Sequence, residues 1–338
     1  MLLLPDAVPA SSVKSGSYRL LHNLAEYLLE QGLAVLRLDD RGLGRSSALP
    51  TATASIELAA DAQSALNFLR SRPGIDPMRV GMVGHGEGAN VALLAAAQAP
   101  APAFVVALAA AGVGGQALLA RQTALVNRPG EPDTAQWTWQ TYWAQRMTLA
   151  RRDAKQQLAA GANPEQMRVR VAQEQLHLTT EARKRNEILY KRQFTLLEII
   201  RQTADNAQAQ AIVANMLHQI YLGLAPVTAQ ARASQLTSAW YRSLLAFNPQ
   251  TELDKVSGPT LLLHGTADSQ VLTATNLAAL ENGSKENKQA TFQRLDAATH
   301  DFQTALGERA LLAGATSPTA TSADALDAVG EWVTKRVK

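Results

Sequence analysis

Residues 79–98 read RVGMVGHGEGANVALLAAAQ and set the architecture of the chain. The apolar residues of Arg79–Val83 predict a short buried strand that ends at a cluster of glycines. A helix rich in small residues is predicted to follow, from about Glu87 to Gln98. The intervening Gly-His-Gly-Glu-Gly therefore predicts a strand that turns sharply into a helix.

This glycine-rich turn has the layout of a nucleophile elbow, G-x-S-x-G between a strand and a helix. In such an elbow the central residue sits on strained backbone, which pushes its side chain clear of the sheet. Here the central residue is Gly86, which carries no oxygen. We therefore expect the turn to keep its shape and to lack a nucleophile. A dinucleotide-binding fingerprint fits poorly, because G-x-G-x-x-G would need a glycine at Ala89.

Strands and helices alternate on both sides of this turn. This alternation predicts an α/β fold with a mostly parallel sheet flanked by helices. Ligands of such a sheet bind at the carboxyl ends of its strands. The predicted strands besides the elbow strand are Leu2–Leu4, Leu33–Leu38, Phe104–Ala109, Thr260–Leu263 and Thr291–Leu295, and the predicted helices besides the elbow helix are Ser17–Gln31, Ile56–Arg70, Ala274–Leu280 and Ser322–Val337.

The middle of the chain departs from this rhythm. Residues 113–250 contain no convincing strand and are rich in Gln, Ala, Arg and Leu, so they predict a helical cap inserted into a core of residues 1–112 and 251–338. The aromatic cluster in this insertion has two interpretations, a hydrophobic lid over the site or packing between helices. Helical periodicity covers Met167–Thr179, Ala182–Gln202 and Gln208–Gly223, and the cluster comprises Trp137, Trp139, Tyr142 and Trp143.

Two polar residues later in the chain are predicted to lie at the same sheet edge as Gly86. Asp268 and His300 each come shortly after a predicted strand, so both are expected at the carboxyl edge of the sheet. The order elbow, Asp, His is the order in which an α/β-hydrolase presents its catalytic triad.

The chain resembles the α/β-hydrolases, in particular the bacterial serine aminopeptidase-like and prolyl-oligopeptidase-like esterases. The resemblance rests on residues 24–47 (LAEYLLEQGLAVLRLDDRGLGRSS), 79–97, 241–271 and the surroundings of His300. The first of these stretches includes the D-x-R-G-x-G-x-S string at Asp39–Ser46, a familiar feature of that fold.

The resemblance implies hydrolysis of a small-molecule ester or peptide without a cofactor. It assigns the acid to Asp268, the base to His300 and the nucleophile position to Gly86, where this sequence departs from the pattern. The oxyanion would be bound by the backbone N–H of Glu87, helped by one from near Asp6. Here the sequence departs again, since the loop after the first strand reads PDAVPASS instead of a glycine-rich string.

Three functional hypotheses follow from Gly86. The first is a serine-hydrolase scaffold whose serine was replaced on purpose, nearly inactive as written. The second is a natural pseudoenzyme that acts as a binding or regulatory protein. The third is hydrolysis by a water that His300 and Asp268 activate in the space left by Gly86.

Composition excludes several other classes. The 338 residues carry a net charge of +3 without a dense basic block, which does not indicate nucleic-acid binding. The chain has no cysteine, so thiol catalysis and cysteine metal sites are excluded, and no His or carboxylate cluster has the spacing of metal ligands. No apolar run reaches the length of about 18 residues that spans a bilayer. The first residues lack the features of a signal peptide, so a cytoplasmic location is the default expectation.

Overall fold

The computed structural model describes residues 1–6, 16–38, 41, 46–47, 55–125, 139–221, 224–305 and 319–337. Clustering of contacts divides the chain into two compact units. The first comprises Met1–Leu119 and Ser238–Lys338, and the second comprises Ala120–Thr237.

A parallel sheet of six strands forms the centre of the first unit. Its spatial order is β2-β1-β3-β4-β5-β6, so the elbow strand β3 lies between β1 and β4. These strands are β1 (Leu2–Leu4), β2 (Leu36–Arg37), β3 (Met82–His85), β4 (Val105–Leu108), β5 (Thr260–Gly265) and β6 (Ala290–Leu295). A separate antiparallel pair consists of β7 (Gln303–Ala305) and β8 (Thr319–Thr321).

Helices complete this unit. They are α1 (Gly16–Glu30), α2 (Ser55–Arg70), α3 (Glu87–Ala96), α4 (Gly115–Leu125, which crosses the boundary), α9 (Ala239–Ala246), α10 (Gln250–Leu253), α11 (Thr273–Gly283) and α12 (Ala323–Val337). A short 3-10 turn at Pro77–Arg79 leads into β3.

Both faces of the sheet are covered, which explains why its central strands read as continuous apolar runs. Successive side chains of a strand point to opposite faces, and the buried residues divide accordingly. Leu2, Met82 and Leu262 belong to one apolar core together with residues of α2 and α3. Leu3 and Val106 belong to the other core, together with residues of α1 and α12. The sheet is therefore a rigid base for the loops at its carboxyl edge.

The second unit is helical wherever it is described. Its helices are α5 (Trp139–Ala159), α6 (Pro164–Gln202), α7 (Asn206–Ile220) and α8 (Pro226–Leu236). The side chain of Asn163 caps α6 by accepting hydrogen bonds from the backbone of Glu165 (2.8 Å) and Gln166 (3.2 Å). Asp205 caps α7 in the same way, with Gln208 as the donor at 2.7 Å.

The predicted fold class is confirmed, and several details differ. The two helices predicted over Met167–Gln202 form the single helix α6, because no proline or glycine interrupts them. The antiparallel pair β7–β8 was not predicted, and the sequence pattern of these short segments gives no strong strand signal. The helical unit begins at Ala120 and ends at Thr237, whereas the sequence had suggested a cap over 113–250.

Some predictions lie outside the described residues. These are the loop residues 7–15, Asp39 and most of the string that follows it, and Trp137. The side chains of Trp139 and Tyr142 are also not described, while Trp143 is half-buried. Among the described residues, no helix is long and apolar enough to span a membrane.

Candidate active site

The turn between β3 and α3 has the backbone of a nucleophile elbow. Gly86 has φ 55° and ψ −118°, a backbone conformation that residues other than glycine rarely adopt. The flanking glycines are required by close packing: a Cβ at Gly84 would lie 2.1 Å from the carbonyl oxygen of Gly88, and a Cβ at Gly88 would lie 2.3 Å from that of Pro5. The sequence therefore supports the tight turn and has a glycine at its tip.

Asp268 follows β5 and is held by its own loop. Its Oδ1 accepts hydrogen bonds from the backbone N–H groups of Gln270 and Val271, both at 2.8 Å. Its Oδ2 accepts one from Nδ1 of His300, also at 2.8 Å. The Asp268 side chain has no exposed surface, so its carboxylate orients the imidazole and is out of reach of solvent.

His300 lies on the loop after β6, which is tied to the Asp268 loop. The backbone N–H of Ala267 donates to the carbonyl of Ala298 (2.9 Å), and that of Ala297 donates to Oγ1 of Thr266 (2.9 Å). These bonds fix the two loops to each other. The predicted pair Asp268 and His300 is thus brought together at the sheet edge beside Gly86.

Asp6 occupies a position that the sequence did not reveal. The expectation concerned a backbone N–H near Asp6, whereas the described contact is made by its side chain. Oδ1 of Asp6 accepts a hydrogen bond from the backbone N–H of Glu87 (2.7 Å), at the first residue of α3. Its Oδ2 lies 3.3 Å from Nε2 of His300. An ideal Cβ at Gly86 would be 2.2 Å from Asp6 Oδ1, so the carboxylate fills the space of the missing side chain.

This placement has a physical reason. The N-terminus of a helix attracts an anion, because its first N–H groups lack helical partners and the helix dipole is positive there. Gly86 has no side chain to cap α3, and no cap from that residue is present. The Asp6 carboxylate supplies the cap instead, in the position where the resemblance implied an oxyanion hole. The hypothesis of a water in the space left by Gly86 stays a prediction, and the Asp6 carboxylate lies in that space.

His85 supports the site from the last position of β3. Its ring lies 4.8 Å from that of His300, measured between centroids, at an angle of 45°. Its Nε2 lies 2.8 Å from the carbonyl oxygen of His300. A carbonyl can only accept, so this nitrogen carries the proton.

The charges of the site are strongly coupled. Burial lowers the pKa of His300, but the hydrogen bonds and charges of Asp268 and Asp6 outweigh it and raise that pKa to about 10. Burial raises the pKa of Asp6, but the hydrogen bond and charge of His300 outweigh it and hold that pKa below its ordinary value. Burial and the charge of His300 lower the pKa of His85. At neutral pH the site therefore holds an imidazolium between two carboxylates.

Two further residues of the predicted site region are described. The side chain of Glu87 points to Ser55, whose hydroxyl donates to Oε1 at 3.2 Å, so the site uses the backbone of Glu87. Arg41, from the D-x-R-G string, makes a bidentate ion pair with Asp61 of α2 at 2.6 and 2.8 Å. This pair ties Arg41 to α2, the helix that precedes the elbow strand.

The structure also brings together a set of groups that can hold a metal ion. Asp6, His85 and His300 each offer one ligand atom, and these atoms lie within 4.8 Å of one another. The sequence did not indicate this set, because its members are far apart in the chain. The sequence pointed to this set only through Asp6, an acidic residue after β1 at the same sheet edge as the elbow.

Comparisons with known proteins agree with this architecture. A family model described as serine aminopeptidase, S33, matches residues 14–193, more than half of the chain. A thiohydrolase of Arthrinium phaeospermum, apmlB, is 34% identical over 95 residues, which are 28% of this chain and 31% of that protein. The match thus spans about a third of the length of that relative.

Solved structures of other proteins align with this chain at low identity. The esterase Pf2001 of Pyrococcus furiosus aligns with a TM-score of 0.50 and 14% identity, covering 99% of this chain and 80% of the esterase. A monoacylglycerol lipase of Paleococcus ferrophilus aligns with a TM-score of 0.47 and 14% identity, covering 99% of this chain and 94% of the lipase. The chain has an α/β-hydrolase fold and belongs to the serine aminopeptidase S33 family of hydrolases.

Proposed function

We propose that this chain is a serine-hydrolase scaffold that does not carry out serine acyl transfer on carboxylic esters or amides. One observation carries the proposal: the carboxylate of Asp6 takes the place of the nucleophile side chain at Gly86, 2.2 Å from where its Cβ would begin. The pair of Asp268 and His300 is kept, at 2.8 Å. The site thus retains its acid and its imidazole and has lost the atom that would attack a carbonyl.

The oxyanion position supports the same conclusion. A carbonyl substrate needs the Glu87 N–H for the negative charge that develops on its oxygen. That N–H already donates to Asp6, at 2.7 Å. A bound ester would therefore have to displace a carboxylate that is also paired with His300, and it would still meet no nucleophile.

Hydrolysis by an activated water is a weaker candidate for the same reason. A general base must be unprotonated, with a pKa near the working pH. The two carboxylates raise the pKa of His300 to about 10, so at neutral pH its imidazole is already charged. The water would also need the space that Asp6 fills.

The similar proteins suggest which ligand class to test. The family is one of serine aminopeptidases, and the similar proteins named above include a thiohydrolase and an esterase. Small esters, thioesters and peptide amides are therefore the compounds to test. A natural pseudoenzyme is the second candidate, favoured by the paired departures at Gly86 and Asp6, since an anion now replaces both the nucleophile and the oxyanion.

The test introduces a serine at position 86, once with the Asp6 carboxylate present and once without it. The parent chain, Gly86→Ser and the double variant Asp6→Gly/Gly86→Ser are given activated short-chain esters and thioesters and a fluorophosphonate probe, in the presence of a chelator. We expect the parent to be silent, the single variant to be weak and the double variant to label and turn over. Loss of a triad serine typically costs on the order of a millionfold in turnover, so the difference is easily measured.

Two outcomes decide against the proposal. Ester turnover by the parent under these conditions would show that acyl transfer persists without a serine. Full activity of Gly86→Ser alone would show that Asp6 does not obstruct the site. If both serine variants fold and stay silent, while the parent is stabilised by an ester or acid ligand, the binding role becomes the better explanation.

A further inference from the structure

Three groups of the kinds that bind metal ions meet beside Gly86. They are the carboxylate of Asp6 and the imidazoles of His85 and His300, with one ligand atom of each within 4.8 Å of the others. His85 and His300 are buried, and the Asp6 side chain is 24% exposed. Two imidazoles and one carboxylate form a ligand set that zinc takes in sites with an open fourth position.

Asp6 and His300 are each held through an atom other than the one that faces the other residue. Oδ1 of Asp6 accepts the Glu87 N–H (2.7 Å), while Oδ2 faces His300. Nδ1 of His300 donates to Asp268 (2.8 Å), while Nε2 faces Asp6. Nε2–H of His85 donates to the carbonyl of His300 (2.8 Å), so the lone pair of that ring is on Nδ1. Histidines that bind metals almost always donate their other N–H to a carboxylate or a carbonyl, and ligating carboxylates are hydrogen-bonded as well.

The distance between Asp6 and His300 also fits two ligands of one ion. Their Oδ2 and Nε2 atoms are 3.3 Å apart, longer than the roughly 2.7–2.9 Å of a charge-assisted hydrogen bond. On a tetrahedral zinc ion with bonds of about 2.0–2.1 Å, two ligand atoms are about 3.3 Å apart.

The charge of the site favours a cation. Asp6 and Asp268 place two carboxylates around one imidazole. A divalent ion that replaces the proton on Nε2 of His300 balances both of them, and metal binding releases protons in this way. Gly86 makes the arrangement possible, because a side chain there would collide with the Asp6 carboxylate.

We propose that Asp6, His85 and His300 bind one divalent cation of the zinc class, with Asp268 and the Glu87 amide as outer partners. The fourth position is open to water or to an oxygen of a ligand. This inference goes beyond the loss of serine acyl transfer, and the two are tested separately because the ester assays are done with a chelator present.

The experiment measures metal binding directly. The purified, tag-free chain is stripped with a chelator and dialysed against Zn²⁺, and bound metal is counted by mass spectrometry. Co²⁺ serves as a second probe, because four-coordinate Co²⁺ absorbs visible light far more strongly than the six-coordinate ion. We expect one equivalent of Zn²⁺ per chain and a four-coordinate Co²⁺ spectrum.

Variants assign the ligands. Asp6→Asn, His85→Gln and His300→Gln are expected to lose the stoichiometric equivalent, and Asp268→Asn is expected to weaken affinity about 10- to 100-fold, as loss of an outer partner does. The exposed residues Asp254 and His22 provide matched controls, Asp254→Asn and His22→Gln, which should bind like the parent.

The decisive variant is Asp6→Asn. Its amide oxygen can still accept the Glu87 N–H, so the cap of α3 is kept and the chain is expected to fold, as circular dichroism will show. Equal zinc uptake by parent and Asp6→Asn would overturn the proposal. The absence of stoichiometric uptake by the folded parent would overturn it as well.

Discussion

The carboxylate of Asp6 and the missing side chain of Gly86 share one space. A Cβ at residue 86 would lie 2.2 Å from Oδ1 and 2.8 Å from Oδ2 of Asp6. Contacts between non-bonded carbon and oxygen atoms are far longer than this, so a side chain at 86 and this position of Asp6 exclude each other. The two residues are therefore coupled, and a change at one is best interpreted together with a change at the other.

Gly86→Ser is expected to destabilise the chain by more than backbone strain alone. A non-glycine residue in such a conformation costs about 1–3 kcal/mol, and the collision with Asp6 adds to that. Gly32→Ser is a control for a side chain at positive φ without a collision, because Gly32 has φ 77° and nothing within 4 Å of its Cβ position. Urea unfolding of both variants, each with and without Asp6→Gly, separates strain from collision. If Gly86→Ser lowers the free energy of unfolding no more than Gly32→Ser does, Asp6 moves aside freely.

In the double variant Asp6→Gly/Gly86→Ser, activity is expected to depend on Asp268. The carboxylate holds Nδ1–H of His300 at 2.8 Å, which leaves Nε2 unprotonated and able to accept the serine proton. Adding Asp268→Asn should lower turnover by on the order of 10⁴-fold while ester binding changes little. The rates of ester hydrolysis and of fluorophosphonate labelling report this. Unchanged labelling would mean that His300 is not the base.

The stability of the parent chain is expected to fall as the pH rises above neutrality. The pKa of His300 is raised to about 10 in the folded protein, from 6.5 when unfolded. The folded state therefore keeps a proton that the unfolded state has lost between these values, and the stabilisation disappears as the pH approaches 10. Urea midpoints at pH 7 and 9.5 should show the decline. Asp6→Asn removes one of the two carboxylates beside His300, so the stability of this variant should decline less between the two pH values. An equal decline would contradict the pairing of Asp6 with His300.

The stability is expected to fall on the acid side as well, for the opposite reason. His264 is buried in β5, and burial lowers its pKa from 6.5 to about 4. Between these values the unfolded state binds a proton that the folded state does not, so stability is lost as the pH falls from about 6.5 to 4. His264→Leu should flatten this part of the curve, whatever it does to the absolute stability. His22→Gln, at an exposed position, should leave the slope unchanged.

The sequence by itself determined the fold and the edge of the sheet at which the candidate residues meet. The apolar runs of β1, β3, β4 and β5 could only belong to strands covered on both faces, and their alternation with helices required a parallel sheet. Because parallel strands end at one edge, residues that follow them must meet there. The sequence therefore predicted that Asp268 and His300 lie at the same edge of the sheet as Gly86. These patterns are local and repeat along the chain, so the order of the residues is enough to recognise them.

Only the tertiary structure decided what occupies the tip of the elbow. Asp6 is 80 residues from Gly86 and 294 from His300 along the chain, and no spacing rule links them. Its carboxylate reaches the elbow because β1 pairs with β3, and it stays because the N-terminus of α3 and the imidazolium both attract an anion. The proximity of His85 to His300 arises in the same way, from packing of the end of β3 against the loop after β6. Contacts of this kind depend on three-dimensional distance and charge, which a one-dimensional pattern does not contain.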